Sequence, residues 1–167
     1  MTRVSNKRIL FVDNQRSIHD DYRTILNPQD TTGEALGDDE AFLFGGETTT
    51  KTSPEAYELE SAYQGHEAVE LVQQSVANNQ NFAMAFVDVR MPPGMDGIQT
   101  IAEMWRIDPR IQVVICTAFS DYPWDTIRCR LGDSGQQFIL KKPFEIIEIR
   151  QFATTLTGLW ALRAASL

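Results

Sequence analysis

Short apolar runs of strand length alternate along this chain with longer segments in which apolar residues recur at helical spacing. The predicted strands are 7–12, 57–63, 82–87, 111–116 and 137–140, and the predicted helices are about 18–26, 65–76, 97–107, 124–131 and about 145–163. Ser17 is expected to cap the first helix, which Pro28 ends. Five strand and helix pairs in alternation predict an α/β fold, a doubly wound five-stranded parallel sheet with helices on both faces.

Two stretches depart from this repeating unit. Residues 27–56 are rich in Gly, Thr, Asp and Ser and predict a long surface insertion after the first helix, with one short helix over 34–44. The insertion is interpreted either as flexible or as a partner-binding element. The last helix carries an apolar stripe from Ile146 to Trp160, and an extension over about 158–167 would pack on a second copy or lead into a further domain. We predict a single domain over 1–167 with a core of about 7–157.

Composition narrows the class of protein. The chain of 167 residues is 43% hydrophobic, which is enough to fill a core without disulfides. Its net charge of −8 argues against direct nucleic-acid binding, which usually needs a basic surface. No run approaches the roughly 18 apolar residues of a membrane helix, so we expect a cytoplasmic protein without membrane contact. Cys116 and Cys129 are not at zinc-ligand spacing and are interpreted as incidental thiols.

Polar residues follow the predicted strands where a parallel sheet binds ligands, at the carboxyl ends of the strands. They are Asp13, Asn14, Asp88, Thr117 and Lys142. Neighbouring carboxylates repel each other unless a cation compensates, and Mg²⁺ suits a set of carboxylate and carbonyl oxygens. With that ion bound, Asp88 could attack the phosphorus of a phosphodonor and form an aspartyl phosphate. Lys142 and Thr117 would then hold two phosphoryl oxygens.

Four segments resemble the signature segments of response-regulator receiver domains, in the same order and with similar spacing: ILFVDN, FVDVRMPPGMDG, VVICTAFSD and ILKKPF. The resemblance implies a flavodoxin-like (βα)5 fold and a phosphorylation-controlled signalling domain rather than an enzyme, limited to self-phosphorylation and autodephosphorylation. It implies these roles: phosphoacceptor Asp88, acidic-pocket residue Asp13, switch hydroxyl Thr117, family lysine Lys142, and metal ligands Asp13, Asn14, Asp88 and the backbone carbonyl of Arg90. The implied partners are a sensor histidine kinase or phosphotransfer protein, a downstream effector or output domain, and a second copy in a homodimer.

Three departures from the family pattern stand out. Asn14 replaces the second acid after the first strand, which should weaken Mg²⁺ binding. Ile139 takes the place of the switch aromatic, and the adjacent Phe138 should face the other side of the sheet. The loop after Asp88 is one residue longer than usual, so we interpret Asp96 as the N-cap of the next helix and not as a metal ligand.

Other interpretations stay open. A receiver with these departures could act as a docking module that does not need phosphate. The polar residues at the strand ends could also have no chemical role, since strand ends are polar in many doubly wound folds. A hydrolase with an aspartyl nucleophile would need an Asp-x-Asp pair, which Asp88 and Arg90 do not form. Lys141 is expected to face away from the phosphate site, and His19 and His66 are interpreted as solvated residues on polar helix faces.

Overall fold

The computed structural model describes residues 5–27, 56–118, 124–132 and 136–165. The strands are β1 (Arg8–Val12), β2 (Glu58–Ala62), β3 (Met84–Asp88), β4 (Gln112–Ala118) and β5 (Gln137–Lys142). The helices are α1 (Arg16–Leu26), α2 (Gly65–Ala77), α3 (Gly97–Ile107), α4 (Trp124–Leu131) and α5 (Ile146–Ala165). In this part of the chain no helix is long and apolar enough to cross a membrane.

The strands form one parallel sheet in the order β2-β1-β3-β4-β5. The predicted α/β fold with a doubly wound five-stranded sheet is therefore confirmed. Strand order reverses between β1 and β3, and a crevice opens at such a point beyond the carboxyl ends of the strands. Because Val12 and Val87 are in register, the residues that follow them, Asp13 and Asp88, lie beside each other at this edge.

The sheet is buried on both faces because its central strands are apolar at successive positions. Side chains of a strand alternate between the two faces, so Leu10 and Val12 pack on one side and Ile9 and Phe11 on the other. The first side is covered by α2, α3 and α4, and the second by α1 and α5. This packing holds the carboxyl ends of the strands in fixed positions.

Some expected boundaries were wrong. Helix α1 begins at Arg16, with Gln15 at the N-cap position and no side-chain cap bond, so Ser17 lies inside the first turn and is not the cap. Strands β4 and β5 are longer than predicted because their polar last residues still pair, with Thr117 opposite Lys141. The apolar runs alone did not show this pairing.

The predicted stripe of α5 is correct at Ile149, Leu156 and Trp160, which are buried. Ile146 is 55% exposed, and the buried side chains of the helix begin one turn later, at Ile149. The predicted short helix over 34–44 and nearly all of the predicted insertion lie outside the described residues, as do the last two residues of the chain.

Candidate functional site

An acidic pair bridged by one ammonium group lies at the carboxyl edge of the sheet. Asp13 follows β1, Asp88 ends β3 and Lys142 ends β5. The Nζ atom of Lys142 donates to Asp13 Oδ2 and to Asp88 Oδ1, at 3.1 Å in both cases. The structure thus brings together three of the predicted site residues, which come from distant parts of the sequence.

These charged groups are largely removed from solvent. The side chain of Asp13 is 2% exposed, that of Asp88 13% and that of Lys142 20%. Burial by itself would lower the pKa of Lys142, but the charges and hydrogen bonds of the two carboxylates outweigh it and raise that pKa. The ammonium group is therefore firmly protonated and compensates the two carboxylates.

Asp13 is held at every one of its polar atoms. Its backbone N–H donates to the carbonyl of Ala62 on β2 at 3.1 Å, and its carbonyl oxygen lies 2.7 Å from Nε2 of His19. Its Oδ1 accepts from the backbone N–H of Gln15 at 2.9 Å, while Oδ2 accepts from Lys142. Asp13 is thus fixed in position by groups from β2, from α1 and its N-cap residue, and from β5.

Thr117 lies near the end of β4, directly after Cys116, the residue in register with Asp88. It is 5% exposed, and among the described residues its Oγ1 has no hydrogen-bond partner. A buried hydroxyl without a partner costs about 1 to 3 kcal/mol of stability. Buried polar groups in proteins usually have a partner, which can be a protein group, water or an ion.

The remaining predicted metal ligands lie near the loop after β3. Asn14 is partly buried and its Nδ2 donates to the carbonyl of Pro92 at 3.4 Å, a weak bond that leaves its amide oxygen for another contact. Arg90 lies in this loop, and its side chain is exposed. The expectation that these two residues bind metal stays a prediction.

The loop after β3 is anchored at its end by the N-terminus of α3. Asp96 forms a capping box there: its Oδ1 accepts from the backbone N–H of Gln99 at 2.8 Å, and its own N–H donates to the side chain of Gln99. The interpretation of Asp96 as an N-cap is confirmed. Gly97 must lack a side chain, since a Cβ there would collide with the backbone carbonyl of Asp88. The helix thus rests directly on the backbone of Asp88.

Phe138 and Ile139 on β5 face opposite sides of the sheet, as predicted. Phe138 packs with Phe152 of α5, their ring centroids 6.1 Å apart, while Ile139 packs against the core on the other side. An aliphatic side chain therefore occupies the place of the family's switch aromatic. Lys141 is exposed, whereas Lys142 makes the contacts with the carboxylates.

The interpretation of both histidines as solvated is wrong for His19. His66 is exposed as expected, but His19 is fully buried and contacts Ser61 and the carbonyl of Asp13. Burial lowers its pKa, against the smaller opposing effect of Asp13. The signal was in the sequence, because His19 stands three and seven residues before Tyr22 and Leu26, which are the other buried residues of α1.

A stack of aromatic rings adjoins this edge of the sheet and was not predicted. Tyr22 stacks on Phe11 at 4.3 Å, on Phe86 at 5.0 Å and on Phe144 at 5.5 Å between ring centroids. Its hydroxyl lies 3.4 Å from Sγ of Cys116, a thiol whose pKa burial raises to about 12. The rings join β1, β3, α1 and the segment after β5 into one packed unit.

In a doubly wound sheet, the carboxyl edge at the point where strand order reverses is where ligands bind, and the lysine-bridged acidic pair lies at this edge. The family model of the response regulator receiver domain matches residues 35–154. The chain is also 30% identical over 145 residues to sporulation initiation phosphotransferase F of Bacillus subtilis, which covers 87% of this chain and 89% of that protein. The chain belongs to the response regulator receiver family of two-component and phosphorelay systems.

Further relatives differ in the length that they share. The transcriptional regulatory protein ZraR of Salmonella typhimurium is 41% identical over 64 residues, which are 38% of this chain but only 13% of ZraR. The receiver domain protein of Methanospirillum hungatei superposes with a TM-score of 0.65 at 19% identity, over 95% of this chain and 99% of that one. The response regulator TrrA of Thermotoga maritima, in complex with Mg(2+)-BeF, superposes with a TM-score of 0.54 at 21% identity, over 90% of this chain and 98% of that one. These two structures show the shared fold.

Proposed function

We propose that Asp88 accepts a phosphoryl group and that this modification switches the protein contacts of the chain. The observation that carries the proposal is the acidic pair of Asp13 and Asp88, bridged by Lys142 at 3.1 Å on each side. The buried hydroxyl of Thr117, which has no hydrogen-bond partner in the described part of the chain, supports it. The donor would be a sensor histidine kinase, a phosphotransfer protein or a small acyl phosphate.

The chemistry requires a carboxylate nucleophile and cations that accept negative charge. A carboxylate oxygen of Asp88 attacks phosphorus, and the bond from phosphorus to the donor's nitrogen or oxygen breaks with its electron pair leaving on the donor. Lys142 exchanges its contact with Asp88 Oδ1 for one with a phosphoryl oxygen. Thr117 donates its hydroxyl hydrogen to a second phosphoryl oxygen, which removes the cost of its unpaired state.

The donor set suits Mg²⁺, a hard cation that prefers oxygen ligands. The carboxylates of Asp13 and Asp88, the amide oxygen of Asn14 and the backbone carbonyl of Arg90 would hold it. When bound, the ion supplies positive charge that neutralises the phosphoryl oxygens. Within the described ranges no three His, Cys, Asp or Glu side chains form a metal-binding group, and the proposed donor set has only the two carboxylates of Asp13 and Asp88. We therefore expect weaker binding than with a second acid at position 14.

The output is proposed to be protein contacts. The core over about 7–157 would form one receiver unit, and the end of α5 would contact a second copy, an effector or an output domain. Thr117 and Lys142 would move their strand ends when they bind the phosphoryl group, which shifts the population between two conformations. Arg90 is proposed to shield the aspartyl phosphate from water, and an unchanged dephosphorylation rate in Arg90→Ala would exclude that role.

A second candidate function is a docking module that does not need phosphorylation. Two observations favour it: Asn14 removes one negative charge from the metal site, and Ile139 replaces the switch aromatic on β5. In that case the domain would present the same surface whether or not a phosphodonor is present. It would also carry no phosphoryl group after incubation with a phosphodonor.

The two functions are separated by intact-mass measurement after incubation with acetyl phosphate. The wild type with Mg²⁺ should gain the mass of about one phosphoryl group, and the same sample with a chelator should not. Asp88→Asn is the matched control and should stay unmodified. An unmodified wild type at saturating Mg²⁺ would reject the phosphorylation switch and favour the docking module.

A further inference from the structure

His19 is the buried polar side chain that connects α1 with the acidic pair. Its ring is fully buried, Nε2 lies 2.7 Å from the carbonyl oxygen of Asp13, and Nδ1 lies 2.9 Å from Oγ of Ser61. A carbonyl oxygen can only accept, so Nε2 carries the hydrogen and donates it to Asp13. Both nitrogens of the ring therefore have partners, and the tautomer follows from the contacts.

The bond of Nδ1 extends this arrangement to the surface. With Nε2 protonated, Nδ1 of the neutral ring accepts from the hydroxyl of Ser61 on β2. The same hydroxyl oxygen accepts from Nη2 of Arg23 at 2.8 Å. The hydrogen bonds thus run in one direction from Arg23 through Ser61 and His19 to Asp13. A polarised chain of this kind holds each member in a single orientation.

The ring is also held by packing. The ring of Tyr63 lies 4.5 Å from that of His19 between centroids, and the guanidinium of Arg16 covers the ring of Tyr63 at 4.2 Å. The ring of Phe11 also contacts that of His19, in an edge-to-face arrangement with 6.3 Å between the ring centroids. The position of Nε2 is therefore set by residues on β1, α1 and the end of β2.

The bond from His19 acts on the peptide unit that joins two predicted metal ligands. The carbonyl oxygen of Asp13 lies in the plane of the peptide bond between Asp13 and Asn14. Rotation of that plane would move the Asn14 side chain and the Asp13 backbone together. His19 is the hydrogen-bond donor to this oxygen, while the N–H of Asp13 is held by β2.

We propose that His19 is a positioning residue that orients the peptide unit between Asp13 and Asn14 for Mg²⁺ binding. The inference rests on the proposed function, because it concerns the metal site of the phosphoacceptor. Partners that orient metal ligands from outside the first coordination shell commonly change metal affinity by about 10- to 100-fold. Since His19 acts through a backbone group, we expect a change near the lower limit.

The test compares variants of the full chain in two measurements. Mg²⁺ affinity is taken from the shifts of the backbone amide resonances of residues 13–15, without any phosphodonor. The Mg²⁺ concentration for half-maximal phosphorylation by acetyl phosphate is measured separately from the rate at saturating Mg²⁺. His19→Phe keeps a ring but has no donor, and His19→Gln places an amide N–H near the position of Nε2. His66→Phe removes the other, exposed histidine and is the matched control.

His19→Phe should weaken Mg²⁺ binding on the order of tenfold and raise the half-maximal Mg²⁺ concentration equally, with the rate at saturating Mg²⁺ kept within about twofold. His19→Gln should recover most of the affinity, and His66→Phe should match the wild type. A side chain that only stabilises the core would lower stability without moving either Mg²⁺ midpoint. Equal midpoints in His19→Phe and wild type would overturn the inference.

A measurement on the wild type covers the case in which His19→Phe does not fold. The Nε2–H resonance of His19 should shift during a Mg²⁺ titration with the same midpoint as the amide of Asn14. A resonance that does not respond while the amide shifts would overturn the role of His19. If Mg²⁺ binds with this response but Asp88 is never phosphorylated, the proposed function fails and the positioning role stands.

Discussion

The bridge from Lys142 to the two carboxylates makes a quantitative prediction about stability. In Lys142→Met the side chain keeps a similar length but loses its charge, so Asp13 and Asp88 lose the ammonium group that they share. Removing one partner of a fully buried ion pair costs about 3 to 5 kcal/mol. Because Lys142 is 20% exposed and Asp88 13%, solvent screens part of the repulsion between the two carboxylates. We expect a loss of about 2 to 3 kcal/mol in the free energy of unfolding.

The assay is urea unfolding at pH 7.5 in the presence of a chelator, with free energies extrapolated to zero denaturant. Lys141→Met is the matched control, since this neighbouring lysine is exposed and should change stability by less than about 0.5 kcal/mol. Adding Mg²⁺ should recover stability in Lys142→Met, because the ion replaces the missing positive charge. A Lys142→Met variant as stable as Lys141→Met would show that the ammonium group does not compensate the acidic pair.

Three further predictions concern neighbouring groups. Asn14→Asp should tighten Mg²⁺ binding about tenfold, since it restores a negative charge beside the cation, and a calorimetric titration that shows no gain would exclude Asn14 as a ligand. In the native protein Cys129 should react with a thiol reagent and Cys116 should not, because Cys116 is buried and its pKa is raised to about 12; reaction of both thiols before unfolding would contradict the packing around Tyr22. Burial lowers the pKa of His19 below 6.5, so the unfolded chain binds more protons and the wild type should lose stability as the pH falls from 7.5 to 5.5. His19→Gln should lose less over the same range in urea unfolding with a chelator, and equal losses would show that His19 titrates as in the unfolded chain.

The fold could be predicted because the central strands leave a strong signal. Strands β1, β3 and β4 are buried on both faces, so each appears as a continuous apolar run between polar segments. The predicted boundaries failed at the ends of strands, where Thr117 and Lys142 are polar but their backbones still pair with the neighbouring strand. Polarity marks the functional edge of the sheet, and it does not mark the end of hydrogen bonding.

The site could be predicted in its residue types but not in its contacts. Strand order decides that Lys142 of β5 reaches both Asp13 and Asp88, and no spacing along the chain contains that information. That the Thr117 hydroxyl has no partner among the residues with described positions likewise depends on its three-dimensional surroundings. His19 was misjudged as solvated because it is polar, although its spacing to Tyr22 places it on the buried face of α1.

Mapping the modified residue shows directly whether Asp88 carries the phosphoryl group. The protein is incubated with acetyl phosphate and Mg²⁺, the acyl phosphate is reduced with borohydride, and the peptide that contains the reduced side chain is sequenced by mass spectrometry. We expect a reduced side chain at position 88 alone and none in Asp88→Asn. A reduced residue elsewhere, such as Asp13 or Asp96, or no reduced residue at saturating Mg²⁺, would contradict this expectation.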